Sequence, residues 1–589
     1  MQDRMSNPPR WTGIAEWVIV IAAAISVLIL ILPRLSVFPA TDEGVYMTVA
    51  SRINRGEVIY RDFFQFLPPG YFYLIAAIEF GFNAGFAGAR AFMVVCLFAH
   101  ACLLFSLARR VISIPLGAGV FAGMFLLYQC SHRSTLSHHF VALLLSDLTL
   151  LSLVRHFEGR RFGLLTAAAA TAGCALCTQT HGALTILAVC VSVLCVRGRR
   201  DGQFMREIGA VAAVVAGVAC ACAVCLALSG ALPAAAYDTV IWVFTHYRKF
   251  DSGVPYNGGL VALSDALHSP GGLLARLDRA GWLLTAGYAQ IAGMVSLGVL
   301  VAIRRKKHGA GEISRAALLC LPLFACANWL TCYSFPNAFL IAQASVLGYL
   351  CACAVFLFCA RGLVKWHPRT GWAVICVCCL CVAVEAARTL SHLVKENSRS
   401  ERIWFETRRG ALWTTRGGMT SQVAVLRFLN ENLAPQSSLF VLNWSAWLYY
   451  LGEYHNPTRY DGLWPLYNSD DQVNETVGCL SATRPRFIVR DGLLDLLIAR
   501  GDHRFRIFRN TELEKWPAFA FVNERYDLKH QFGPYRIYEL KDVSTGDQPI
   551  GLKGFHALST TLPGARGSPP VRWLPLPAPW ARGSALQYQ

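Results

Sequence analysis

The sequence predicts a polytopic α-helical membrane protein of about eleven spans carrying one extracytoplasmic α/β domain. Of its 589 residues 54% are hydrophobic and 15% charged, with a mean hydropathy of +0.41, whereas an ordinary soluble domain is roughly 25% charged. Apolar runs recur from Trp17 to about Leu390, while the stretch after Lys395 has the mixed composition of a soluble fold. The third observation is the placement of the cations, which alternates from one loop to the next.

A hydrocarbon core roughly 30 Å thick needs about 20 apolar residues per helix. Runs of that kind centre on 17–33, 88–108, 114–130, 136–154, 162–178, 181–196, 207–230, 282–303, 315–332, 337–360 and 370–390. The first lacks a clear small-x-small cleavage site and leads into a polar loop, so it is expected to stay as an anchor. With Arg4 and Arg10 in the cytoplasm, seventeen Lys and Arg fall in short inside loops, from Arg109 and Arg110 to Lys365 and Arg369. Only Arg133 falls in a short outside loop. This is the positive-inside pattern, and it accounts for the net charge of +18 without a nucleic-acid partner. An odd number of spans then exports the C-terminal domain. The expected organisation is a membrane module over 1–394, an exported α/β domain over 395–543, and a Gly, Pro and Ser-rich disordered tail over 544–589.

Two outside connections are long, 34–87 and 231–281, and long structured loops on one face carry function. In the first, Asp42-Glu43-Gly44 precedes Val45, Val49 and Ile53 at helical spacing, with Thr41 as a possible cap. Pro68-Pro69 then fixes an extended entry to the apolar segment from Gly70, expected to lie along the interface. Asp42 and Glu43 stand just beyond a span, where a carboxylate can act as a base on substrates that meet at the head-group level. The same pair could equally cap a helix N-terminus.

The wider pattern is specific. Asp42-Glu43-Gly44-Val45-Tyr46, Arg55-Gly56-Glu57-Val58-Ile59-Tyr60-Arg61-Asp62, Pro68-Pro69-Gly70-Tyr71 and Arg90 resemble the GT-C glycosyltransferases of the protein O-mannosyltransferase and aminoarabinose-transferase type, in their bacterial membrane branch. The resemblance covers the first loop by motif and residues 17–390 by layout. It implies transfer of a sugar, with inversion, from a polyprenyl-phosphate donor to an acceptor hydroxyl on the outer side of a bacterial inner membrane. The acceptor would be a glycan, a lipid or a protein. Related bacterial enzymes often carry a basic residue just before the proline pair, where this chain has Leu67.

By motif position Asp42 is the expected general base, with Glu43 orienting the acceptor, supporting Asp42 or binding a divalent cation that the sequence does not require. The departing phosphate gathers negative charge, and Arg52, Arg61 and Arg90 are the candidate cations, Arg90 equally serving as an interfacial snorkel. Tyr46, Tyr71 and the pair His138-His139 are candidate substrate contacts, as are His246 and Tyr247 in the second loop beside Tyr237, Trp242, Arg248 and Lys249. An interfacial aromatic belt explains the second-loop residues as well. Two histidines without a matched carboxylate assert no metal site.

Asp147, about 12 Å deeper on the same helix as His138 at roughly 1.5 Å per residue, must face protein or a water-filled cavity. Twenty of the 21 cysteines lie in or beside the apolar runs, and Cys174, Cys177 and the cluster at 376–381 are expected to pack rather than bind metal.

In the exported region a helix is expected over 420–432, strands at 438–442, 486–490, 519–522 and 535–538, and helical stretches around 447–451 and 470–480. No Gly-rich phosphate loop or nucleophile elbow occurs there, so acceptor binding or lidding of the membrane site is its expected role. A transporter, flippase or non-catalytic polysaccharide-assembly subunit has a similar span count, but the loop from Asp42 to Tyr71 argues for catalysis.

Overall fold

The computed structural model describes residues 10–39, 41–82, 85–112, 116–132, 135–198, 202–247, 293–298, 314–331, 343–399, 402–415, 420–465, 467–492, 495 and 513–541. Helices α1 (Arg10–Ile31), α2 (Thr41–Asn54), α3 (Gly70–Phe82), α4 (Gly85–Val111), α5 (Gly117–His132), α6 (His138–Phe157), α7 (Gly163–Cys177), α8 (Gln179–Arg197) and α9 (Gly202–Leu228) follow one another. The short α10 (Leu232–Ala236) leads into two π-helical turns over 237–247, and α11 (Arg315–Leu330), α12 (Val346–Trp366) and α13 (Pro368–Arg399) complete the described membrane module.

Seven of these, α1, α4, α6, α8, α9, α12 and α13, contain stretches long and apolar enough to cross a membrane, as an integral membrane protein requires. Helices α5, α7 and α11 are shorter apolar helices at three further expected spans. The span expected at 282–303 falls largely outside the described residues, as do the start of the one at 337–360, the tail and the side chains of Thr41 and Arg133.

The apolar faces of α1 and α5, α4 and α5, α6 and α7, and α8 and α11 pack together. Inside the bundle Asp147 is buried: one carboxylate oxygen lies 2.8 Å from His100 Nε2 and the other accepts from Asn328 Nδ2 at 2.9 Å. Ser146 Oγ donates to Asn328 Oδ1 at 2.9 Å, and Thr185 Oγ1 to Ser146 Oγ at 3.2 Å. Where water is scarce, polar groups must satisfy one another, and this chain of bonds ties α4, α6, α8 and α11. Cys174 and Cys177 are buried on α7, where Cys174 Sγ donates to the Ala142 carbonyl at 3.4 Å.

Beyond α13 the chain forms a hairpin, β1 (Arg402–Thr407) with β2 (Gly410–Thr415), and a four-stranded sheet. In that sheet β3 (Leu439–Leu442) runs parallel to β4 (Phe487–Asp491), followed by β6 (Tyr535–Leu540) and the edge strand β5 (Tyr526–Phe532), both pairs antiparallel. Helices α14 (Thr420–Asn432), α15 (Trp447–Leu451) and α16 (Asp470–Thr483) lie at the expected places. The strand expected at 519–522 is instead part of a helix, α17 (Pro517–Arg525). Pro517 suits a first helical turn, and Ala518, Phe519 and Val522 are buried at i, i+1 and i+4, the spacing of a helix face and not of a strand. Neither the β1–β2 hairpin nor β5 is evident from hydropathy, because their faces are only partly buried.

Candidate active site

The first loop is clasped between the bundle and the C-terminal domain. Arg52, at the last turn of α2, is buried and donates to Glu57 Oε2 and to Asp461 Oδ1, each at 2.7 Å. Thr48 Oγ1 donates to the Ala446 carbonyl at 2.8 Å, the Phe64 N–H to the Arg459 carbonyl at 2.8 Å, and Arg409 reaches Glu79 of α3 at 3.5 Å. A β-carbon on Gly44 would stand 2.8 Å from the Trp447 backbone nitrogen and 2.6 Å from its Cβ, so α2 meets the start of α15 at backbone distance only because residue 44 lacks a side chain.

That packing sets apart two neighbouring carboxylates. Glu43 is 1% exposed and is gripped by Arg90, with Nε at 2.9 Å and Nη2 at 2.6 Å, and it accepts the Leu136 N–H at 2.9 Å. Arg90 is fully buried and spends its remaining donors on the Leu35 and Val37 carbonyls. It does not snorkel. Asp42 instead opens to solvent, one oxygen accepting Trp444 Nε1–H from the C-terminal domain at 3.2 Å. Oδ2 makes no hydrogen bond among the described residues. Surrounding protein raises the Asp42 carboxyl above its ordinary value; the Trp444 hydrogen bond works against that shift and the Glu43 charge adds to it.

Of the other expected contacts, Tyr46, Tyr71 and His138 converge. Tyr46 Oη lies 2.7 Å from His138 Nδ1, and the Tyr46 and Tyr71 rings meet edge to face at 5.1 Å. His139 adjoins His138 with centroids 4.0 Å apart, and His181 of α8, which the sequence alone did not single out, lies 5.3 Å from His139. Among the described residues no group of three or more His, Cys, Asp or Glu is arranged to hold a metal ion. Tyr247 stacks on Phe66 at 5.0 Å, and His246 lies parallel to Trp242 at 6.2 Å. Arg248 and Lys249 lie outside the described residues. Arg61 is engaged by Asp62 at 2.8 Å and by the Ser229 carbonyl at 3.0 Å. Arg52, Arg61 and Arg90 are therefore all paired with carboxylates.

An aromatic wall runs from Asp42 into the second loop. Trp444 meets Trp464 edge on at 5.1 Å and Tyr467 at 6.0 Å; Tyr467 meets Trp242 at 4.8 Å, and Trp242 meets Phe66 at 5.5 Å. Trp444 and Tyr467 escape a reading by motif because nothing local marks them; only the fold brings them to residue 42.

Beside this wall Asp238, 2% exposed, faces Arg459 at 4.0 Å. Burial pushes its carboxyl up to about 7, against the pull of Arg459 and a backbone hydrogen bond at Gln65. A carboxyl raised in the fold binds a proton that the unfolded chain, at about 3.9, has already lost, so the stability it confers is complete below about 4 and disappears as pH rises through about 7. Wild-type melting temperature should thus fall across that window relative to Asp238→Asn. A difference between the two proteins that is constant with pH would refute this.

No protein-family model matches the chain, and no curated protein matches it by sequence. Among solved structures, ArnT from Cupriavidus metallidurans bound to undecaprenyl phosphate superposes with a TM-score of 0.51 at 13% identity, over 90% of this chain and 99% of that one. An oligosaccharyltransferase from Archaeoglobus fulgidus gives 0.48 at 13% identity, over 82% of this chain and 68% of that one. The apo state of the Cupriavidus metallidurans ArnT gives 0.42 at 11%, over 89% and 98%. The superposition on the undecaprenyl-phosphate-bound ArnT extends over nearly the whole of both molecules, and the chain shares the fold of that protein.

Proposed function

We propose that the chain is a membrane glycosyltransferase that moves a sugar from a polyprenyl-phosphate donor to an acceptor hydroxyl on the extracytoplasmic side of a bacterial inner membrane. Eleven spans, a cytoplasmic N-terminus and an exported C-terminal domain complete this reading. The observation that carries it is the contrast between two adjacent carboxylates. Glu43 is neutralised and buried by Arg90, while Asp42 keeps one oxygen open to solvent beside an aromatic wall. The fold shared with an ArnT that binds undecaprenyl phosphate supports a lipid-phosphate donor.

The acceptor hydroxyl attacks the anomeric carbon from the face opposite the phosphate. As the new C–O bond forms, its proton passes to Asp42 Oδ2, and the bonding pair of the breaking C–O bond leaves with the polyprenyl phosphate. The Glu43–Arg90 pair holds the first turn of α2 in place, and Tyr46, Tyr71, His138, His139, His246 and Tyr247 are the residues through which donor or acceptor would be contacted. The surrounding protein that raises the Asp42 carboxyl above its ordinary value brings the base closer to the working pH, where proton transfer is most effective.

The reaction class is tested by incubating purified protein in lipid vesicles with a panel of polyprenyl-phosphate sugars, labelled in the sugar, and a membrane extract as acceptor source. Label in an acceptor together with free polyprenyl phosphate is the expected result. Donor binding without release of polyprenyl phosphate under any pairing would overturn it in favour of a binding or transport role.

A further inference from the structure

The exported domain does more than cover the membrane module: it places a hydrogen-bond donor on the carboxylate assigned as the base. Trp444 follows β3 in a loop that is fixed on both sides. Asn443 adopts a left-handed backbone, φ 78°, a region that asparagine tolerates better than most residues, and its side-chain amide donates to the Asp491 carbonyl at the end of β4. On the other side Ser445 Oγ donates to Asp491 Oδ2 at 2.5 Å. Asn443, Ser445 and Asp491 are all buried. The indole between them is half-buried, braced edge on by Trp464 and Tyr467, and its N–H meets Asp42 Oδ1 at 3.2 Å.

We infer that Trp444 is a positioning residue for the transfer reaction, through which the exported domain orients Asp42 so that Oδ2 faces the acceptor. This rests on Asp42 being the base. An indole N–H is a donor only, so it bonds the ionised carboxylate at Oδ1 and leaves Oδ2, which makes no hydrogen bond among the described residues, to take the acceptor proton. A donor to the charged form also favours that form. The groups that face Asp42 are Glu43 and Tyr46 on its own helix and Tyr467 from the exported domain. Tyr71 of α3, Tyr247 of the second loop and His138 of α6 adjoin Tyr46. Glu43 is already paired with Arg90. Trp444 is the neighbour that lowers the Asp42 carboxyl, and Glu43 raises it.

The experiment is the pH profile of kcat/KM for sugar transfer by the full-length protein in vesicles, comparing wild type with Trp444→Phe. The Phe ring keeps the stacking surface and removes the N–H. The acidic limb should move to higher pH by about one to two units, as expected for loss of one hydrogen bond to a charged group. Should the phenylalanine variant fail to fold, benzothienylalanine at 444 removes the same N–H with the shape of the indole retained. A limb that stays at its wild-type pH while the rate falls uniformly would overturn the inference and leave Trp444 a packing or acceptor-binding group. The two readings fail separately: an active Asp42→Asn variant removes the base itself, whereas an inactive one combined with an unmoved limb removes only the role of Trp444.

Discussion

Asp42→Asn is expected to lower sugar transfer by about two to four orders of magnitude, the range that a positioned general base supplies, while donor affinity stays within a few-fold of wild type. The substitution is nearly isosteric, and the amide still accepts from Trp444 Nε1 through its oxygen, so the hydrogen bond at 3.2 Å can survive. What disappears is a group able to take a proton. Because Asp42 is open to solvent and bears no ion pair among the described residues, the protein should accumulate and melt like wild type. Single-turnover transfer and donor binding, measured on the same vesicles, separate the two quantities. Turnover equal to wild type would remove Asp42 from the mechanism.

Arg90→Leu has the second large effect, on stability. Arg90 and Glu43 are 0% and 1% exposed, joined by two short bonds, and removing one partner of a buried pair costs about 3–5 kcal/mol because the other charge is left unsolvated. The double variant Glu43→Gln/Arg90→Leu should recover a large part of that loss, since the amide needs no counter-charge and can still accept the Leu136 N–H. Thermal melts in detergent of the two single variants and the double variant form the cycle. Strictly additive losses would mean that the pair does not act as a unit.

The membrane helices were legible because lipid leaves few choices: a run such as 202–228 has to be a helix of spanning length. The amphipathic α2 was legible from Val45, Val49 and Ile53, and α14 from its apolar spacing. The C-terminal sheet was half legible. Strands β3 and β4 are buried on both faces and appear as apolar runs, whereas β5 shows alternate polarity only weakly and the four-residue apolar stretch 519–522 of α17 has the hydropathy of a strand. At the site, motif position picked out Asp42 and Glu43 but could not tell them apart. What distinguishes them is Arg90, 47 residues beyond Glu43, and Trp444, 402 residues beyond Asp42. Local sequence carries no trace of contacts at such range, so the buried state of Arg52 and the arrival of His181 beside His139 were equally invisible.

The clasp on α2 also imposes an order on biogenesis. Arg52 emerges early in synthesis, but its partner Asp461 is 409 residues further along the chain, and Thr48 and Asp42 likewise wait for residues beyond 440. Until the C-terminal domain has folded, Arg52 has only Glu57 as a counter-charge and one face of α2 has nothing to pack on, and contacts of such separation form slowly. A chain truncated before the C-terminal domain would thus present an exposed, incompletely paired loop to cellular quality-control proteases. Separately expressed halves could restore the site only if the C-terminal half docks before that loop is cleaved.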